Sequence, residues 1–377
     1  MLNFLKIIQQ RIYRDRKRLD INTKYVLRKE ITQMGNFVEI WFLTKGCQWD
    51  ASGGCVMCNY GKGHNINENE MISSISQAIN EAGSNISELA ITPSGSFLDT
   101  NEVPISVRHF IYDKIKKSHI DRFIFETRVD TITKSNIKEL KEYLPNKKIS
   151  IEIGLETSSQ WISNFCLNKG TDINDYMSKF KLLKECDIEI IANISLGIPF
   201  LSENQSIESA VKTIKWAYKY GADNTVIFPL HVKPYTLSAV LYEKGFYNPI
   251  SLWSLIHVLN LVPIDYLEKT QISWYKNYYT DPSKIIASPY TCPCCFDKII
   301  CLLDEYRATC SIEILKKINS FTCSCKTKWL ETLNLCEYSS LDLDSLYYTY
   351  EELSKHFSIT SWWDKNKNAI YSQLKNM

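Results

Sequence analysis

Short apolar runs alternate with helical stretches between residues 37 and 261, which is typical of βα units around a parallel sheet. Runs rich in β-branched and aromatic residues predict strands over 38–43, 88–92, 122–126, 149–155, 188–196 and 223–229. Apolar residues at helical spacing predict helices over 67–82, 107–118, 134–143, 175–185 and 203–220. Six units are fewer than the eight that close a barrel, so we expect an α/β fold with a laterally open, partial (βα)6 TIM-type barrel.

The pattern changes at both ends of this region. Residues 1–36 are predicted to form a basic helical segment, because the first thirty residues hold nine Lys and Arg against three Asp and Glu. This segment is interpreted either as a solvated helical face or as a surface for an anionic partner such as RNA. After residue 261 the alternation stops, so we assign 37–261 to the barrel and 262–377 to a small Cys-rich C-terminal domain.

Composition excludes several classes of protein. With 45% hydrophobic and 23% charged residues among 377, the chain can bury a large core, which excludes disordered and fibrous architectures. The net charge is only +2, so any attraction to nucleic acid must be local. The sequence has neither a signal-peptide core nor an apolar run near the roughly 18 residues of a membrane span, so we expect a cytoplasmic protein without a membrane partner.

Thirteen cysteines, mostly in two groups, indicate metal or catalytic chemistry, since a reducing cytoplasm disfavours disulfides. Cys47, Cys55 and Cys58 lie on a loop after the first predicted strand, and five of the 13 glycines fall between residues 46 and 63. That backbone must turn tightly or approach another group closely. Three thiolates can hold three corners of a cubane cluster and leave the fourth iron without a protein ligand. The alternative is zinc on the same cysteines and His64.

The Cys-x7-Cys-x2-Cys loop after the first barrel strand resembles that of the radical S-adenosylmethionine (SAM) enzymes, in the branch that includes archaeosine synthesis on tRNA. The resemblance implies a [4Fe–4S] cluster on these cysteines and SAM bound at the open iron. It also implies one-electron cleavage of SAM to methionine and a 5′-deoxyadenosyl radical that abstracts hydrogen. A reductase, flavodoxin or ferredoxin would supply the electron.

The same resemblance implies where SAM is held near the first two strand ends. Met57 stands at the adenine position, where the family usually has an aromatic residue, and a thioether can cover a ring face. Ser94, Gly95 and Ser96 lie where carbonyl groups would receive the SAM ammonium, although the alternative is an ordinary turn.

Charged residues follow the third and fourth strands. The resemblance implies that Arg128 pairs with the SAM carboxylate, that Glu126 orients Arg128, and that Glu156 contacts the ribose. The alternative is an ordinary ion pair. At the sixth strand end, substrate contact by His231, Lys233 and Tyr235 is weighed against structural roles, which are commoner.

The second cysteine group forms two closely spaced pairs, Cys292-x2-Cys295 and Cys323-x-Cys325. Two such pairs can deliver four thiolates to one ion, which favours structural zinc. An auxiliary iron–sulfur cluster is the alternative, because spare ligands are available at Cys294, Cys301 and Cys310. Thiols without any metal are a third possibility.

Three functions are compatible with these patterns. The branch resemblance and the basic N-terminal segment favour a radical SAM enzyme that modifies a 7-deazaguanine-type tRNA base. The low net charge and the spare cysteines suit radical tailoring of a peptide or small metabolite. A non-enzymatic, zinc-dependent nucleic-acid-binding protein would use both cysteine groups structurally.

Overall fold

An eight-stranded sheet forms the centre of the molecule in the computed structural model, which describes residues 3–17, 24–32, 35–279, 281–335 and 343–375. Its strands follow one another in chain order; the first pair is antiparallel and all later pairs are parallel. The strands are β1 (Tyr25–Thr32), β2 (Gly35–Phe42), β3 (Glu88–Thr92), β4 (Arg122–Thr127), β5 (Lys148–Glu156), β6 (Glu189–Leu196), β7 (Asn224–Pro229) and β8 (Thr270–Ile272).

The α/β partial barrel is confirmed, and the six predicted strands correspond to β2–β7. The helical prediction is wrong for Tyr25–Thr32, which pairs with β2 as an antiparallel hairpin. This strand gains its stability from cross-strand partners, which local helical propensity does not report. β8 has three residues, too few for a periodic signal, and its pairing with β7 extends the sheet past the predicted boundary at residue 261.

A single arginine joins the two edges of the open sheet. Arg307, in the helix Phe296–Thr309, donates from Nη2 to Glu30 on β1 at 2.9 Å. Its Nη1 donates to the carbonyl of Ile272 on β8 at 2.9 Å. β1 and β8 do not pair directly in the described residues, so this side chain spans the opening.

Helices connect the strands and extend the chain at both ends. Two of them, Glu68–Ala82 and Glu203–Lys219, begin with capping boxes built by Asn67 and Ser202. The helices are α1 (Phe4–Asp15), α2 (Gln48–Ala51), α3 (Glu68–Ala82), α4 (Ile105–Lys116), α5 (Lys134–Tyr143), α6 (Gln160–Ile162), α7 (Ile173–Glu185), α8 (Glu203–Lys219), α9 (Leu237–Glu243), α10 (Leu252–Leu261), α11 (Ile264–Leu267), α12 (Phe296–Thr309), α13 (Ile312–Ser320), α14 (Ser324–Leu335), α15 (Leu343–His356) and α16 (Thr360–Lys375). None that the structure describes is long and apolar enough to cross a membrane.

The two faces of the sheet differ in chemistry. The outer face packs an extensive apolar core against the surrounding helices. The inner face holds a small apolar layer, made of Ala90, Ile124, Ile191 and Val226. Side chains alternate along a strand, so Glu126 and Asn193 lie two residues beyond Ile124 and Ile191 on the same face. The inner face therefore changes from apolar to polar toward the carboxyl ends of the strands.

The N-terminal helix α1 is part of the core. Phe4, Leu5, Ile8 and Ile12 are buried against Val56 and against residues of α15 and α16. Of the predicted basic helical segment, only Phe4–Asp15 is helical among the described residues, and Arg18 and Asp20 lie outside the described ranges. The apolar face of α1 covers the cysteine loop, whereas Arg14 on its other face is exposed, so a solvated basic face or a surface for an anionic partner stays a prediction.

Candidate active site and second cysteine centre

The carboxyl ends of the strands surround a cavity of about 390 Å³. Of the residues that the resemblance assigns to the cluster or to SAM, nine line it: Cys47, Cys55, Met57, Cys58, Ser94, Gly95, Glu126, Arg128 and Glu156. Ser96 does not line it. Its hydroxyl lies in a buried cluster with Thr127 (2.7 Å) and Thr131 (2.9 Å), so the side chain supports the strand ends.

The cysteine loop folds back on itself at its glycines. Cys47 N donates to the Tyr60 carbonyl at 2.9 Å, which brings the two ends of the loop together. A Cβ on Gly63 would lie 2.1 Å from the carbonyl carbon of Lys45, and one on Gly46 would lie 2.5 Å from the Tyr60 oxygen. The predicted close backbone approach is therefore confirmed at these positions.

A buried ion pair between Arg16 and Asp50 fastens this loop to the N-terminal segment. Both side chains are 1% exposed. Asp50 also accepts from the Gly61 amide, and Arg16 donates to the carbonyls of Cys58 (3.2 Å) and Tyr235 (3.1 Å). Burial raises the pKa of the Asp50 carboxyl, and the Arg16 guanidinium opposes that shift. The sequence analysis missed both roles, although an aspartate between the cysteines was a visible signal.

Two amide side chains hold the turn before Cys55. Gln9 on α1 donates to the carbonyls of Gly54 (3.2 Å) and Cys55 (2.6 Å). Asn168, in the left-handed conformation at φ 52°, donates to the carbonyls of Gly53 and Gly54, both at 2.7 Å. A loop with few side chains of its own is thus ordered by residues distant in sequence.

Three thiols meet the cavity without forming a single-ion site. Among the described residues, three or more His, Cys, Asp or Glu ligand atoms come within 4.8 Å of one another only at the second cysteine group. Cys47, Cys55, Cys58 and His64 are therefore not gathered as tetrahedral zinc requires, whereas cubane corners lie further apart. Burial raises the pKa of all three thiols, that of Cys55 to about 12, so metal binding there must displace protons.

Gly95 provides the close approach expected after β3. A Cβ there would lie 2.7 Å from both Cys47 Cβ and Glu102 Oε2. The side chain of Glu102 accepts from Thr44 (2.8 Å) and from the Ser96 amide (2.7 Å), which fixes the turn. The wall beside Cys47 thus has room for backbone only.

Arg128 faces Cys47 but is not oriented by Glu126. Its guanidinium pairs with Asp99 at 3.1 Å and Asp130 at 3.0 Å, and Nη1 lies 3.7 Å from Cys47 Sγ. The expectation that Glu126 orients Arg128 is therefore wrong, because Asp99 and Asp130 take that place.

Glu156 is held in a strained position at the end of β5. Its φ is +63°, unusual for a residue with a side chain, and the β5–β6 register shifts between Gly154 and Glu156. Lys169 Nζ lies 2.9 Å from its Oε1, and the Ser195 hydroxyl donates to its Oε2 at 2.5 Å. No motif in the sequence pointed to Lys169, which reaches the cavity from the connection between β5 and α7.

His231 and Lys233 line the cavity with defined partners. His231 is buried between Ser288 Oγ (3.0 Å) and the Trp274 carbonyl (2.6 Å), which suits a structural role, and burial lowers its pKa to about 4. Lys233 Nζ lies 2.9 Å from the Tyr60 hydroxyl and above that ring. Tyr235 is 39% exposed and does not line the cavity.

The second cysteine group has the close spacing of a one-ion site. Sulfur–sulfur distances are 3.4 Å for Cys292–Cys323 and 3.5 Å for Cys292–Cys295, Cys295–Cys325 and Cys323–Cys325. Trp253 Nε1 donates to Cys325 Sγ at 3.2 Å. Cys294 and Cys301 are exposed and Cys310 is buried, all outside this group. These four thiols could bind a metal.

The chain has an open parallel sheet with a three-cysteine loop after its first parallel strand, which is the arrangement that the resemblance to the radical SAM enzymes implies. It is similar to archaeosine synthase subunit beta of Methanosarcina acetivorans, with 28% identity over 79% of this chain and 85% of that protein. The Thermococcus kodakarensis protein of the same name is 24% identical over 76% of this chain and 88% of that one. The predicted resemblance to the archaeosine-synthesis branch is confirmed.

Solved structures give a weaker likeness. The archaeal Elp3 of Methanocaldococcus infernus matches with a TM-score of 0.46 and 14% identity, over 71% of this chain and 59% of that one. Methylornithine synthase matches with a TM-score of 0.45 and 13% identity, over 71% and 70%. No protein-family model matches the chain.

The Arg16–Asp50 pair yields a stability prediction. Arg16→Met should lower the free energy of unfolding by roughly 3–5 kcal/mol, because it leaves Asp50 buried without its charged partner. Asp50→Asn should also destabilise, and the double variant should recover part of the loss because neither charge remains. Urea unfolding measures all three, with Arg14→Met on the exposed face of the same region as the control. A loss for Arg16→Met as small as that for Arg14→Met would contradict the assignment.

Proposed function

We propose that this enzyme cleaves SAM reductively at a [4Fe–4S] cluster held by Cys47, Cys55 and Cys58. The observation that carries the proposal is that these three thiols line one cavity while their sulfurs are too dispersed for a single ion. The close packing of Gly95 against Cys47 supports it further, because it leaves the cavity wall free of side chains there. When bound, the reduced cluster supplies the electron that splits SAM into methionine and a 5′-deoxyadenosyl radical.

The chain's own groups would bind and orient SAM. The carbonyls at Ser94 and Gly95 suit an ammonium, and Glu156, fixed by Lys169 and Ser195, presents a rigid acceptor for hydroxyl groups. Arg128 keeps positive charge beside Cys47. A SAM carboxylate that bound Arg128 would replace Asp130, whose side chain is 53% exposed, and leave the more buried Asp99 in place.

For the substrate, we propose a 7-deazaguanine-type base in tRNA. The support is the similarity to two proteins named archaeosine synthase subunit beta, each covered over more than four-fifths of its length. The basic N-terminal residues do not carry this step. Arg16 is buried with Asp50, and Arg28 pairs with Glu39 and Glu30.

For the second cysteine group, we propose one structural zinc ion. Tetrahedral zinc with Zn–S bonds of about 2.3 Å places its sulfurs about 3.8 Å apart. The sulfur–sulfur distances of 3.4–3.5 Å are close to that value. A cubane, whose four thiolates bind four different irons, needs wider spacing.

Removing a single cluster cysteine should abolish SAM cleavage. After anaerobic reconstitution and addition of dithionite, Cys47→Ala, Cys55→Ala and Cys58→Ala should each lose iron and form no 5′-deoxyadenosine, because two thiolates do not hold the cubane with one open iron. Cys186→Ala, outside both groups, is the matched control and should retain both properties. Cleavage that persists in all three variants would refute the assignment.

The substrate proposal predicts stimulation by the correct RNA. Formation of 5′-deoxyadenosine should rise several-fold with tRNA carrying a 7-deazaguanine-type base, relative to the same tRNA with unmodified guanine. The reason is that a bound substrate supplies the hydrogen atom and excludes water from the cavity. Equal rates with both RNAs would count against this substrate and leave SAM cleavage itself unaffected.

The zinc proposal predicts one equivalent of zinc in addition to about four irons. Cys292→Ser and Cys325→Ser should lose the zinc and keep the irons, because the two cysteine groups are separate. Cys294→Ser, an exposed neighbour between two ligands, should lose neither metal. Elemental analysis measures the zinc and iron content of each variant. Additional iron in place of zinc would favour the auxiliary cluster.

A further inference from the structure

One carboxylate in the cavity differs from the others in having no charged partner. Of the five that line it, four are ion-paired: Glu39 with Arg28, Asp50 with Arg16, Asp130 with Arg128 and Glu156 with Lys169. The fifth is Glu126. Its carboxylate forms no ion pair and accepts no hydrogen bond among the described residues. Glu126 is half-buried in the wall of the cavity. Carboxylates partly withdrawn from water are normally paired, so the lack of a partner here is unusual.

Acidic neighbours make the lack of a partner for Glu126 more unusual. It lies on β4 directly beside Glu152 on β5. Burial and the neighbouring acidic groups raise the pKa of Glu126 to about 8, and burial raises that of Glu152 to about 7. A group that donates hydrogen bonds would relieve this concentration of acceptors.

A second acceptor on the same face of the sheet, on the far side of β5 from Glu126, also lacks a donor. Asn193 on β6 lines the same cavity and is 5% exposed, and its Oδ1 has no hydrogen-bond partner among the described residues. A buried amide oxygen without a donor is destabilising in the free protein. Two acceptors on one face of the sheet, on strands separated only by β5, therefore both lack donors.

The walls around these acceptors are suited to a flat ring. The apolar layer of Ala90, Ile124, Ile191 and Val226 lies beneath them, and Phe228 packs on it. Phe228 and Trp41 both line the cavity. Enzymes that act on a nucleobase take it out of its stack and hold it by polar contacts to its edge and by aromatic or apolar side chains.

We propose that Glu126 and the Oδ1 atom of Asn193 form the subsite that recognises the donor edge of a guanine-type base. That edge carries a ring N–H and an exocyclic amine side by side, and the two oxygens of one carboxylate can accept both. This inference rests on the proposed substrate class and assigns the residues that read it.

The test compares two bases that differ by one amine. Binding of 7-deazaguanine and of 7-deazahypoxanthine, which lacks the exocyclic amine, is measured by calorimetry at pH 8 on the reconstituted full-length protein. The wild type should prefer 7-deazaguanine by about tenfold or more, as a bidentate contact implies. Glu126→Gln should remove that preference, and Glu142→Gln, on the exposed face of α5, should retain it.

The same preparations separate this inference from the proposed function. In the absence of tRNA, Glu126→Gln should still bind iron and cleave SAM, and its melting temperature should not fall, because an unpaired, half-buried carboxyl has become a neutral amide. A preference that survives in Glu126→Gln, or a wild type that does not distinguish the two bases, would overturn the inference. Loss of SAM cleavage in Glu126→Gln would also overturn it and assign the residue to SAM instead. A wild type that fails to cleave SAM would contradict the proposed function, with the base comparison still valid.

Discussion

The cysteine loop depends on residues distant in sequence for its conformation, and this constraint organises the molecule. The answer here is the buried pair of Arg16 and Asp50, together with Gln9 and Asn168 on the carbonyls before Cys55. Gln9 lies on α1 and Arg16 directly follows it. Residues of α15 and α16 pack over this helix. The two ends of the chain thus support the loop at the mouth of the barrel, because a buried ion pair and buried carbonyls need partners that exclude water.

The two cysteine groups differ in geometry, and each geometry suits a different kind of metal site. Around the cavity, three thiols are dispersed and backbone approaches closely at Gly95, which leaves space for a cofactor. In the C-terminal region, four sulfurs converge beside Trp253, packed in a core formed with α8 and α10. An open site allows a ligand to bind the metal, and a closed site fixes the local fold.

The interior of the partial barrel combines paired charges with a few unsatisfied acceptors. Arg28, Lys169 and Arg128 each compensate a carboxylate, so most of the acidic lining is neutralised within the protein. Among the described residues Glu126 is the unpaired carboxylate of this lining, and Asn193 Oδ1 is an unsatisfied amide oxygen; both lie above the apolar layer of the sheet. Acceptors without donors lower the stability of the free protein, and a bound ligand that donates hydrogen bonds would restore it. Natural proteins tend to depart from optimal packing at such functional sites.

The sequence by itself determined the parallel sheet, the strands β2–β7 and both cysteine groups, because hydrophobic periodicity and cysteine spacing are local properties. It also located Gly95, Arg128 and Glu156 at strand ends. Only the tertiary structure decided that Tyr25–Thr32 is a strand, that Asp99 and Asp130 orient Arg128 in place of Glu126, and that Arg16 reaches Asp50. Each of these depends on which partner lies across a gap in the chain, and a pairing between distant residues leaves no periodic trace in either segment.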